Sequence, residues 1–196
     1  PEWQGRVIAD LNFELPAHAH NTKDAIRSTY EYADFLKHFC ESINVPKEAY
    51  PDGLTVLAPI ETWSDDFSIA ISGIPSTVPF METHYHSQYD NEEFYQEAVY
   101  RFHHELYTRL LVTLDQLTLP PLDFSRHFLA MKSSVADCLA AQSNAPAEVL
   151  EEIPALLESI SKVCQSADLL YEKIQEINNH TVSADFSMVS GLSSKL

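Results

Sequence analysis

One stretch of the chain carries more ligand chemistry than any other: Tyr85-His86-Ser87-Gln88-Tyr89-Asp90. An imidazole there is flanked by a phenol and followed four residues later by a carboxylate. Imidazole and carboxylate are good ligands for zinc, and a zinc site needs at least three protein ligands converging from different segments. His86 is one candidate. Glu14, at the end of the apolar run Arg6-Val7-Ile8-Ala9-Asp10-Leu11-Asn12-Phe13, is another. Tyr85 is placed to donate its hydroxyl to a developing oxyanion. Asp90 is placed to orient the imidazole through its second nitrogen, as carboxylates behind metal ligands do. The same residues also suit a hydrogen-bonded surface loop and a solvent-facing strand end.

Other clusters are weaker. His103-His104-Glu105 lacks the second histidine of a HExxH helix, because Thr108 stands there. It reads as a solvated helix face. His18 and His20 lie in a polar loop after Pro16. No GxSxG or phosphate-cradling glycine loop occurs among only four glycines.

The elements that position these residues follow from pattern. Residues 6–14 read as a strand closed by Pro16, with Glu14 at its carboxyl end, where ligands of open α/β sheets bind. Ile26, Tyr30, Ala33, Leu36, Phe39 and Ile43 predict an amphipathic helix over about 24–44, capped by Asn21 or Thr22. Leu54–Ile60 reads as a short strand. Ser64 caps a short helix that Gly73 ends, and 76–80 reads as a strand whose Pro79 sits at an edge or a strand end. Residues 91–118 predict a long helix with Phe94, Ala98, Phe102, Leu106, Leu110, Val112 and Leu117 toward a core, ended by Pro120 and Pro121. Farther on, Val149, Ile153, Leu156, Ile160, Val163, Ala167, Leu170, Ile174 and Ile177 repeat at alternating spacings of four and three. That is a heptad seam for helix-on-helix packing, with Pro154 either in a first turn or at a kink. The organisation expected is an α/β part, 1–119, and an all-helical part, 120–196, with a frayed Ser-rich tail at 181–196.

Composition excludes some partners. A net charge of −17 argues against nucleic acid and against an anionic membrane surface. No apolar run approaches the roughly 18 residues of a membrane helix. Cys40, Cys138 and Cys164 are odd in number and far apart, which fits free thiols in a reducing, cytoplasmic setting. The start Pro1-Glu2-Trp3 reads as the interior of a longer protein.

The ordered set of short motifs resembles the two-zinc exopeptidases that include bacterial aminopeptidases, glutamate carboxypeptidase and the transferrin receptor. Leu11-Asn12-Phe13-Glu14 is similar to the family's strand ending in Asn-apolar-acid. Trp63-Ser64-Asp65-Asp66-Phe67 and Gly73-Ile74-Pro75 are similar to the turn and strand that follow, and Tyr85-His86-Ser87-Gln88-Tyr89-Asp90 to the closing Tyr-His-(Ser/Thr)-x-x-Asp. The resemblance covers about 1–120, and Pro120-Pro121-Leu122-Asp123-Phe124 occupies the junction to a helical dimerisation domain.

It implies an incomplete zinc-exopeptidase-like sheet with flanking helices. Glu14 binds one zinc, where the family usually has aspartate, and His86 binds the other. Tyr85 stabilises the tetrahedral intermediate, and Asp65 lies near the substrate's terminal group. An aspartate there suits a free amine better than a carboxylate, which favours an aminopeptidase acting on peptides. The resemblance also implies a first histidine, a bridging aspartate and a Glu-Glu pair upstream of Glu14. The segment alone is therefore expected to be inactive and to hold zinc partially or not at all. A sheet lacking its first strands exposes an edge, so a homo-oligomer is expected. The alternative is a non-catalytic interaction module acting through its helices.

Overall fold

The computed structural model describes residues 7–13, 21–72, 76–79, 88, 91–141 and 146–181. It is a mixed fold: a small sheet with helices, followed by two long helices packed on each other. Strands β1 (Asp10–Leu11), β2 (Asp24–Ser28), β3 (Leu54–Leu57) and β4 (Ser76–Pro79) form one sheet in the order β1-β4-β2-β3. β1 runs parallel to β4, and β2 parallel to β3, while β2 and β4 are antiparallel. The sheet therefore sends β1 and β4 out of one end and β2 and β3 out of the other.

β2 corrects the helix expected from residue 24. Asp24, Ala25, Ile26 and Ser28 are all buried, because β2 lies inside the sheet and is covered on both faces. A strand buried on both faces shows no apolar–polar alternation, so its Ile26 joined the helical period of the residues after it by coincidence. The helical part begins only with a single 3-10 turn at Tyr30–Tyr32 and then α1 (Ala33–Glu41). α1 buries Ala33, Leu36 and Phe39 and exposes Lys37 and His38.

α2 (Phe67–Ala70) is one turn with no side-chain cap; the Ser64 hydroxyl bonds the Asp66 carboxylate instead of capping the helix. β4 is an inner strand, and Pro79 is its last residue, where a missing N–H costs least. α3 (Glu97–Gln116) starts six residues later than the expected 91. Asn91 caps a separate 3-10 turn, its Oδ1 accepting from the Glu93 amide at 2.9 Å. α3 lays Val99, Phe102, Leu106 and Leu110 against Ile26, Tyr32, Leu36, Phe39 and Tyr50, which is the core. Val112, expected inside, is 46% exposed; the buried stripe passes through Leu110 and Leu114 instead.

α4 (Ser125–Ala141) and α5 (Ala147–Asn178) pack antiparallel, with Cys164 beside Ser125 and Lys132 bonding Ser161. Pro154 lies inside α5, and no first turn begins there. The junction after α3 is densely bonded. Asp123 Oδ1 accepts from the Ser125 amide (3.0 Å) and hydroxyl (2.6 Å), opening α4 as an N-cap carboxylate does. Arg126 reaches both Asp34 on α1 and Asp123. The Asn178 amide brackets Leu119, accepting from its N–H at 2.9 Å and donating to its carbonyl at 3.0 Å.

Half of the heptad seam is used. Ile160, Ala167 and Ile174 are buried, with Cys164 between them. The other line, Val149, Leu156, Val163 and Leu170, is 44–52% exposed. Among the described residues no helix is long and apolar enough to cross a membrane.

Candidate functional site

Glu14, Tyr85, His86 and Asp90 lie outside the described residues, as do His18 and His20. The strands before them are described. Glu14 follows β1 by three residues, and Tyr85-His86 follows β4 by six. β1 and β4 are neighbours and parallel, with Asp10 beside Ser76 and Leu11 beside Thr77. Both segments therefore continue from one end of the sheet.

Asp65 belongs to the opposite end. It sits in the connection that leaves β3 and returns to β4, and that connection begins and closes where β2 and β3 finish. Its side chain is exposed, and its carbonyl accepts from the Ser68 hydroxyl at 2.9 Å. Its neighbour Asp66 is the buried one, 1% exposed. Arg27, at the same end, pairs with Glu61 at 2.7 Å.

Among the described residues no group of three or more His, Cys, Asp and Glu side chains is arranged to hold a metal ion. As a donor set, Glu14 and His86 are one carboxylate and one imidazole. That is chemistry zinc accepts, but fewer ligands than the three a catalytic zinc takes from its protein.

The structure reveals a buried polar cluster around His103, which the sequence pattern places on a solvated helix face. His103 is 3% exposed, and so is Asp24. His103 Nε2 lies 3.1 Å from Asp24 Oδ2 and 3.3 Å from the Tyr50 hydroxyl. The imidazole and the carboxylate thus share a hydrogen bond between two buried groups. Among the described residues Nδ1 has no hydrogen-bond partner, although it is buried. Rings then stack outward. The Tyr107 ring lies nearly parallel to His103, at 5.3 Å and 10°, and Phe13 stacks on Tyr107 at 4.1 Å and 8°. Burial, reinforced by the Asp24 charge, raises the Tyr50 and Tyr107 phenols well above their ordinary range. Burial, with Asp24 and then Glu41, pushes the Cys40 thiol up to about 12.

His104, one residue on, is exposed against Tyr100. The expected solvated pair is thus one buried and one exposed histidine. The signal was present in the spacing: Val99, His103, Leu106 and Leu110 fall on one face at steps of four and three.

Comparison of the chain with protein-family models, curated proteins and solved structures gives no match.

Proposed function

We propose that the chain is part of a zinc-dependent exopeptidase, of the aminopeptidase kind, that removes terminal residues from peptides. The observation that supports this most is the shared exit of β1 and β4 from one end of the sheet. Two segments with zinc-ligand chemistry, ending in Glu14 and in Tyr85-His86, continue from neighbouring strands in the order the family motifs have. In that reading Glu14 and His86 each contribute a ligand to one of two ions, Tyr85 donates to the oxyanion, and Asp90 holds the imidazole. Zinc supplies the activation of water in such enzymes. With one ligand per ion the chain alone binds zinc weakly and does not turn over. Asp65 is the weakest member of the set, because its connection belongs to the other end of the sheet.

Two measurements test this. Zinc titrated calorimetrically into the chain binds weakly, and Glu14→Gln and His86→Ala each reduce that binding. Binding unaffected by both refutes the ligand assignment. Aminoacyl-anilide assayed with excess zinc is not cleaved; turnover by the pure chain refutes the claim that it is incomplete.

A second reading has its own observation. The exposed line Val149, Leu156, Val163 and Leu170 is spaced by seven residues along α5. Such a stripe suits another helix, as in a homo-oligomer or a non-catalytic, transferrin-receptor-like interaction module. Sedimentation as a clean monomer at high concentration counts against it.

A further inference from the structure

We infer that the groove at the connected end of the α4–α5 hairpin is a docking site for a basic amphipathic helix of another protein. This deepens the interaction-module reading above, on which it rests, and it is independent of the zinc site.

The groove lies at the end of the hairpin where α4 finishes at Ala141 and α5 begins at Ala147. α4 is 17 residues long, yet Ser125 is its one fully buried residue. A helix of that length ordinarily hides an apolar stripe against its own fold. α4 has such a stripe: Met131, Val135, Cys138 and Leu139 fall on one face in the i, i+4, i+7, i+8 pattern. With Val149 and Ile153, one turn apart on α5, they line a groove of about 290 Å³. Met131, Cys138 and Val149 are exposed, and Val135, Leu139 and Ile153 are half-buried. A continuous apolar surface left open on a helix pair marks a place where something docks.

Charge says what docks. From Ser133 to Ser161 the sequence holds Asp137, Glu148, Glu151, Glu152 and Glu158, and no Lys, Arg or His. All five carboxylates are exposed. Glu158 pairs with Lys162, beyond that stretch, at 2.7 Å. Asp137, Glu148, Glu151 and Glu152 surround the groove with no cation in either arm of the tip. A second copy of the chain brings the same carboxylates and a net charge of −17, so it is repelled at this end. A helix with lysines or arginines beside an apolar stripe meets both features at once. Its apolar anchors enter the groove, and its cations face the acidic rim. The flexible thioether of Met131 suits such a surface, since it adapts to anchors of different shape.

The test uses the intact chain and a fluorescent helical peptide of leucine and lysine, with its leucines at i, i+3, i+4 and i+7. Its controls are the same peptide with glutamine for lysine and one with the same composition in scrambled order. Fluorescence anisotropy reads the affinity. The leucine–lysine peptide should bind, and each control should bind about tenfold more weakly. Val149→Asp lies in the first turn of α5, where an acid suits the helix. It adds a negative charge yet should weaken binding about tenfold, because the groove loses an apolar wall. Glu151→Lys/Glu152→Lys should also weaken it about tenfold, with helicity by circular dichroism unchanged. Glu92→Lys/Glu93→Lys makes the same change of net charge on the turn before α3 and should leave affinity within about twofold.

Equal losses in the two double variants, or tighter binding by Val149→Asp, would show that overall charge holds the peptide and would overturn the groove. No binding of the leucine–lysine peptide would overturn the choice of partner. Sedimentation then tells the two readings apart. Self-association abolished by Val149→Asp keeps the interaction module with a second copy as occupant, whereas a clean monomer removes both.

Discussion

Replacing His103 with leucine is the sharpest perturbation of this core. The substitution keeps most of the side-chain volume, so cavity formation contributes little. What it removes is the hydrogen-bond partner Nε2, 3.1 Å from an Asp24 carboxylate that is itself 3% exposed. Removing one partner of a buried hydrogen bond leaves the other unsatisfied, which costs about 1–3 kcal/mol and more where that group is charged. Domains of this size hold only about 5–15 kcal/mol in total, so His103→Leu should take away a large share of the stability. The double variant Asp24→Val/His103→Leu removes the charge as well as its partner. Apolar replacement of both members of a buried pair is often nearly neutral, so the double variant should regain most of the loss. Urea unfolding followed by far-ultraviolet circular dichroism, with equal slopes among the proteins, measures all four corners of the cycle. A loss below about 1 kcal/mol in His103→Leu, or single losses that simply add in the double variant, would refute the account of a mutually dependent buried pair.

Three further outcomes follow. The Cys40 thiol is pushed up to about 12 by burial, so between its ordinary value of 9.0 and about 12 the unfolded chain releases a proton that the folded chain keeps. Stability should then fall as pH rises through that window, by at most about 1.4 kcal/mol per pH unit for this one group. The buried phenols of Tyr32, Tyr50 and Tyr107 steepen the fall above pH of about 10; a urea midpoint that stays flat from about pH 8 to 10.5 would contradict this. Cys138 is exposed, Cys164 buried and Cys40 half-buried, so a thiol-specific chromogenic reagent should label Cys138 first and reach the others only on unfolding. Equal labelling of all three in the native protein would be inconsistent with the packing. Asn178→Ala leaves the Leu119 amide and carbonyl without the bracket at 2.9 and 3.0 Å. It should cost about 1–3 kcal/mol, read by thermal unfolding, and a substitution without effect would show that the bracket is idle.

Local signals carried much of the fold into the sequence. α3 stops at Gln116, ahead of Pro120 and Pro121, β3 and β4 fall within the runs read as strands, and α5 spans the heptad repeat. β2 escaped because it is buried on both faces, and because its one charged core residue, Asp24, has its partner 79 residues away in His103. No local pattern encodes such a pairing. Strand direction was equally hidden. The antiparallel step between β2 and β4 turns the Asp65 connection away from the end to which Glu14 and His86 belong by sequence, and sequence order says nothing about that reversal. His103 was legible from its spacing with Val99 and Leu106, yet its polarity outweighed its position. Glu14, Tyr85, His86 and Asp90 fall outside the described segments, so the zinc titrations bear on them.

The bracket between Asn178 and Leu119 also has a mechanical meaning. α5 is 32 residues long, about 48 Å at 1.5 Å per residue. It is tied down at its far end by Asn178 and near its middle where Cys164 meets Ser125. Toward Ala147 it lies along α4, where Val149 and Ile153 line a cleft with Met131, Val135 and Cys138. Asn178 thus fastens the end of this α4–α5 pair to Leu119, three residues beyond the helix that carries His103 and Tyr107.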